Sequence, residues 1–140
     1  MATIDSLTGG CLCGAVRFEA HRVETAFHAC HCGMCRRWGG GPFLGVDAAS
    51  IDFSDESRLR RFDSSEWASR GFCGDCGSNL FYYVKAEDRY SMCAGAFDDP
   101  SVFELVREIF IDHKPPGYAF AGDRPRMTEA EVLARYGGAD

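Results

Sequence analysis

Residues 14–23, GAVRFEAHRV, set Val16, Phe18 and Ala20 against Arg17 and Glu19, the period-two alternation of a half-buried strand. Residues 25–30, TAFHAC, read as its partner strand and deliver the chain to a cysteine-rich segment. FLGV (43–46), LRRF (59–62) and ASRGFC (68–73) predict further short strands. SNLFYYV (78–84), RYSMCAGAF (89–97) and LVREIFI (105–111) are aromatic and β-branched, as residues on a pleated surface tend to be. DDPS (98–101) is turn chemistry and HKPPGY (113–118) a stiff loop. CGMCRRWGGG (32–41) has no period, and its glycines predict a turn or one helical turn followed by a loop. Helical spacing belongs to MTEAEVLARYGG (127–138), with a helix expected over about 128–136. Thr128 can cap it, Glu131 stands three residues later, and Gly137 can end it. The pattern predicts a mainly β, antiparallel fold with one late helix, over a single domain of residues 1–140.

Composition narrows the setting. With 46% apolar and 26% charged residues, the chain has the makeup of an ordinary soluble globular protein. No apolar run approaches the roughly 20 residues of a membrane helix, so no membrane partner is expected. MATIDSLTGG lacks the basic start and apolar stretch of an export signal, which predicts a cytoplasmic protein. A net charge of −6 gives no general attraction to nucleic acid, so no nucleic-acid partner is expected.

Eight cysteines change the picture: 11, 13, 30, 32, 35, 73, 76 and 93. In a reducing compartment, tight cysteine clusters favour metal over disulfides. A disulfide between i and i+2 is also strained. CGDCG (73–77) is the zinc-knuckle pattern, in which glycine permits a left-handed turn beneath two thiolates. GCLCG (10–14) offers two sulfurs on one side of an extended strand. Together Cys11, Cys13, Cys73 and Cys76 make a closed, structural tetrahedral site. Cys30, Cys32 and Cys35 remain, three ligands with one position open, as in a catalytic site. Two other arrangements stay open. Cys11 and Cys13 could join two of the central cysteines, or His31 or His28 could complete the second site, although His31 on extended backbone points away from its flanking cysteines. Cys93 reads as a small buried hydrophobe.

Around the three-cysteine segment, Arg36 and Arg37 are candidates for binding substrate carboxylates, because guanidinium offers a bidentate fork. Trp38 is a candidate for the wall of a substrate cleft. Asp98 and Asp99 read as turn builders, or as acids that orient a ligand or serve as general base.

GGCLCGAVRF, CHCGMCRR, GFCGDCGSNLF and GAFDDP, in that order, resemble the family of glutathione-dependent formaldehyde-activating enzymes and centromere protein V. The resemblance covers about residues 8–118. It implies a β-tent fold of small antiparallel sheets, a structural zinc at Cys11, Cys13, Cys73 and Cys76, and a second zinc at Cys30, Cys32 and Cys35. It also implies a carbon–sulfur lyase or synthase chemistry: the joining of formaldehyde to the thiol of glutathione. KPPGYAF carries Tyr118 and Phe120 where members of that family often have a tryptophan. The expected function is therefore a zinc-dependent lyase, with Cys30, Cys32 and Cys35 as the catalytic set and a small thiol such as glutathione as substrate. The alternatives are a non-catalytic zinc module that binds a protein partner, and a thiol redox or metal-handling protein.

Overall fold

The computed structural model describes residues 2–136. Its strands are β1 (Thr3–Gly10), β2 (Arg17–Glu24), β3 (Ala26–Cys30), β4 (Phe43–Phe53), β5 (Leu59–Asp63), β6 (Ala68–Cys73), β7 (Asn79–Val84), β8 (Arg89–Cys93), β9 (Glu104–Ile109) and β10 (Arg126–Met127). Helix α1 (Gly33–Gly39) lies between β3 and β4, and α2 (Glu129–Tyr136) follows β10. The fold is mainly β, as the hydrophobic pattern predicts. Two compact units divide the chain: one takes residues up to Phe27 and Gly45–Glu104, the other His28–Leu44 and residues from Leu105 onward.

In the first unit the strands run in the order β1-β2-β4-β8-β7-β6-β5, each antiparallel to its neighbours. Strand β2 buries Phe18, Ala20 and Val23. Its alternation breaks at Arg22, whose φ of 53° moves that side chain off the inner face. Rings fill the space between strands: Phe18 against Phe97 at 5.3 Å and Phe81 against Tyr90 at 5.0 Å between centroids. The Arg61 guanidinium lies 4.9 Å from the centroid of Phe81, covering the aromatic cluster with a cation–π contact. Between Gly71 and Phe72 the β6–β7 register shifts, a bulge that re-aims the strand just before Cys73.

In the second unit the strand order is β10-β9-β3, and β10 runs parallel to β9, so the pairing is mixed rather than purely antiparallel. The late helix starts as its capping box predicts. The Thr128 N–H donates to Glu131 Oε1 at 2.9 Å, and the Glu131 N–H returns a bond to Thr128 Oγ1 at 3.3 Å. Val132 is its buried anchor. Gly137, expected to end this helix, lies outside the described residues.

Two expectations need correcting, and one strand, β1, was not foreseen. TAFHAC is a strand, but β2 pairs with β1 and β4 instead. Strand β1 carries no alternation that would reveal it, because five of its eight residues are exposed or only partly covered polar or glycine positions. FLGV is only the start of β4, whose second half, DAASIDF, extends the strand to eleven residues through its pairing with β2 and β8.

Candidate functional site

The four-cysteine group is built from two turns of the first unit. Cys11 and Cys13 lie in the turn after β1, where the Cys11 N–H bonds the Val16 carbonyl at 3.0 Å. Cys73 ends β6, and the knuckle closes as the Gly77 N–H bonds the Cys73 carbonyl at 2.9 Å, with Gly77 at φ 79°. Ser78 joins the two turns: its Oγ accepts the Leu12 N–H at 3.0 Å and lies 3.2 Å from Cys76 Sγ. The four sulfurs all fall within 4.8 Å of one another. Cys11–Cys13 and Cys13–Cys73 separations are 3.7 and 3.8 Å. A tetrahedron with zinc–sulfur bonds of about 2.3 Å has edges of about 3.8 Å, so the donor set fits zinc.

Electrostatics point the same way. The Ser78 hydroxyl and N–H hold Cys76 down to about 5. Cys13 is pushed up to about 12: the Ala15 N–H pulls it down, but desolvation and the sulfurs of Cys11, Cys76 and Cys73 outweigh that pull. Four thiols this close cannot all ionise without a cation between them. Backbone N–H groups already face two of the sulfurs, from Val16 to Cys11 at 3.2 Å and from Asp75 to Cys73 at 3.3 Å.

The three-cysteine group belongs to the second unit. Cys30 ends β3, Cys32 is the N-cap of α1, and Cys35 sits in the first helical turn. The Cys35 N–H donates to Cys32 Sγ at 3.3 Å, so the cap fixes one sulfur relative to the next. Gly40, at φ 81°, closes the helix by donating its N–H to the Arg36 carbonyl. The three sulfurs lie within 4.8 Å of one another and all three residues are buried. Three soft thiolates on one short loop suit zinc.

Neither His28 nor His31 brings a ring nitrogen into either sulfur group among the described residues. His31 is buried, and its Nε2 bonds Glu108 Oε1 at 2.8 Å. Glu108 is equally buried, and its other oxygen accepts from Arg124 at 2.8 Å and Arg126 at 3.0 Å. Burial alone would raise its pKa, but the bonds from His31, Arg124 and Arg126 prevail and hold the carboxyl below the usual range. Sequence reasoning missed Glu108, Arg124 and Arg126. The one available signal was a charged pair, Arg107 and Glu108, inside the apolar run of β9.

The remaining candidates are placed as follows. Arg36 and Arg37 are exposed on α1 and pair with no acid among the described residues. Trp38 is half-buried, its ring centroid 6.1 Å from that of Phe43. Cys93 ends β8 outside both sulfur groups. Asp99 caps the turn at Ser101, and Asp98 pairs with Arg17 and Thr8, so both acids are occupied in structure. Glu19, His21 and Asp52 form a third group on β2 and β4, exposed apart from a half-buried His21. No described helix is long and apolar enough to cross a membrane.

The model of the glutathione-dependent formaldehyde-activating enzyme family matches residues 6–113. The chain belongs to this family. It is also 31% identical over 127 residues to an uncharacterized lyase of Schizosaccharomyces pombe, covering 89% of this chain and 93% of the yeast protein. A crystal structure of a Rhodobacter sphaeroides protein shares the fold with a TM-score of 0.57 at 21% identity, over 71% of this chain and 97% of that one. The formaldehyde-activating family match takes in both cysteine groups and Glu108, and stops short of Tyr118, Arg124 and Arg126.

Proposed function

We propose that the protein is a zinc-dependent carbon–sulfur lyase or synthase that acts on a small thiol adduct of the S-hydroxymethylglutathione kind. The observation that carries this reading is the unequal division of seven sulfurs. Four converge in one group, and three buried ones converge in another that no histidine completes. A four-thiolate site is closed and belongs to the fold, whereas a three-thiolate site leaves one tetrahedral position for a guest. Family membership and the lyase name of the yeast relative support the reaction class.

In this reading Cys30, Cys32 and Cys35 hold the second zinc. When bound there, zinc would favour the thiolate form of a thiol taking the open position, making it the nucleophile toward an aldehyde. The chain's own groups do the rest. Burial of the three cysteines excludes bulk water from the reacting centre. Arg36 and Arg37, exposed on the helix that carries Cys35, supply guanidinium forks for carboxylates of a glutathione-like substrate. Trp38, braced by Phe43, offers an apolar wall. Thiol ligands need a reducing compartment, so the cytoplasm is the setting this reading assigns.

Formation and cleavage of the glutathione–formaldehyde adduct, followed by NMR against the buffer rate, tests the proposal. Cys32→Ser is expected to remain folded, lose one zinc per chain and fall to the buffer rate. Cys76→Ser is expected to lose soluble folding, because a closed site is part of the folding free energy. Full activity in Cys32→Ser, or unfolding as complete as that of Cys76→Ser, would contradict the division of labour.

A further inference from the structure

Glu108 is a charged group with 1% of its side chain exposed, a costly placement unless the charge is fully paired. Here it is paired on both oxygens. His31 Nε2 takes one at 2.8 Å; Arg124 Nη1 and Arg126 Nε take the other at 2.8 and 3.0 Å. The two arginines are themselves tied to the turn they come from, through the carbonyls of Ala121 at 2.6 Å and Gly122 at 2.8 Å. The far side of the His31 ring is closed by aromatics. Tyr118 Oη lies 3.4 Å from Nδ1, and the Tyr118 and Phe120 rings are 6.2 and 6.0 Å away. Finally, the His31 N–H bonds the carbonyl of Ile109, the residue after Glu108, at 3.0 Å.

His31 is thus held twice, by backbone and by side chain, to two successive residues of β9. Its chain neighbours on either side are Cys30 and Cys32. Fixing its ring and its N–H fixes the peptide units that carry both sulfurs, and the Cys32 cap then sets Cys35. We propose that His31, Glu108, Arg124 and Arg126 are positioning residues that hold the three-cysteine loop in a metal-ready shape before any ion arrives. Unlike a histidine ligand braced by a carboxylate, His31 contributes no donor atom; it acts through the backbone it shares with two ligands. Prepaid ordering lowers the entropy lost on capture, and loss of such outer support typically weakens a metal site 10–100-fold. The inference rests on the reading of Cys30, Cys32 and Cys35 as one metal site.

The test is a competition titration of the full chain with zinc against a chromophoric chelator, the four-cysteine group serving as internal reference. In His31→Ala and Glu108→Gln the second equivalent should bind 10–100-fold more weakly, with the first unchanged. His31→Gln, whose amide N–H can still reach Glu108, should recover part of the loss, which a general packing defect would not allow. Arg126→Gln removes one bond from a half-exposed partner, is the variant least able to disturb folding, and should show a smaller weakening of the same equivalent. Wild-type affinity for the second equivalent in His31→Ala or, should that chain not fold, in Arg126→Gln would overturn the inference alone. A wild-type chain that takes up a single equivalent would overturn it together with the metal reading.

Discussion

Asp98 shows how a side chain that the sequence offers to chemistry is committed to structure. Arg17 grips both of its oxygens, at 3.0 and 2.5 Å, and the Thr8 hydroxyl adds a bond at 2.7 Å. The Arg17 bonds first, and then Thr8, hold the carboxyl down to about 2. A depressed pKa in the folded state means that the contribution to stability is complete above the ordinary carboxylate range and is lost only as pH falls toward 2. At neutral pH it is therefore fully present. Both partners are nearly half exposed, so solvent screens the pair and its worth is below about 1 kcal/mol. Asp98→Asn is expected to lower the urea midpoint slightly at pH 7, with the difference shrinking as salt rises, and to leave zinc content and activity unchanged. A loss of activity without loss of stability would return Asp98 to the catalytic candidates.

At the scale of elements, the bulge and close approach on β6 decide how the knuckle is presented. A Cβ placed on Gly71 would lie 2.1 Å from Cζ of Phe81, whose completely buried ring packs against Phe53 of β4 and Tyr90 of β8. The ring cannot move aside without opening the aromatic cluster, so Gly71→Ala should destabilise the chain by about 1–3 kcal/mol. Its effect on zinc content at the four-cysteine group should be smaller than that of any ligand substitution. Equilibrium unfolding with metal analysis checks both. The elements also explain what could be read from the chain. The α2 capping box was legible because all its partners lie within one turn, Thr128 to Glu131. The two sulfur groups were legible because thiol spacing survives without knowledge of the fold, although spacing alone left other pairings of the turns open. Strand β1 was not legible, since an edge strand with little buried surface leaves no period. The Glu108 network was not legible either: His31 and Glu108 are 77 positions apart, and only tertiary packing tells a paired buried acid from a surface one.

Across the molecule, the two sulfur groups are built on different principles. One joins separate turns of the first unit, where a bound metal would be part of what makes that unit fold. The other sits on one short segment of the second unit, beside a histidine–carboxylate–arginine network, with two exposed arginines on the adjoining helix. Such a division predicts unequal lability: a chelator should remove one zinc readily, and the other only as the chain unfolds.

Exchange of cobalt(II) for zinc in the folded chain, read by thiolate charge-transfer and d–d absorption, counts the sites and shows which of them is open. Two equivalents with tetrahedral spectra are expected, of which only one shifts when glutathione is added, and that one disappears in Cys32→Ser. A single equivalent, or two whose spectra ignore every added thiol, would contradict the division into one closed and one open site.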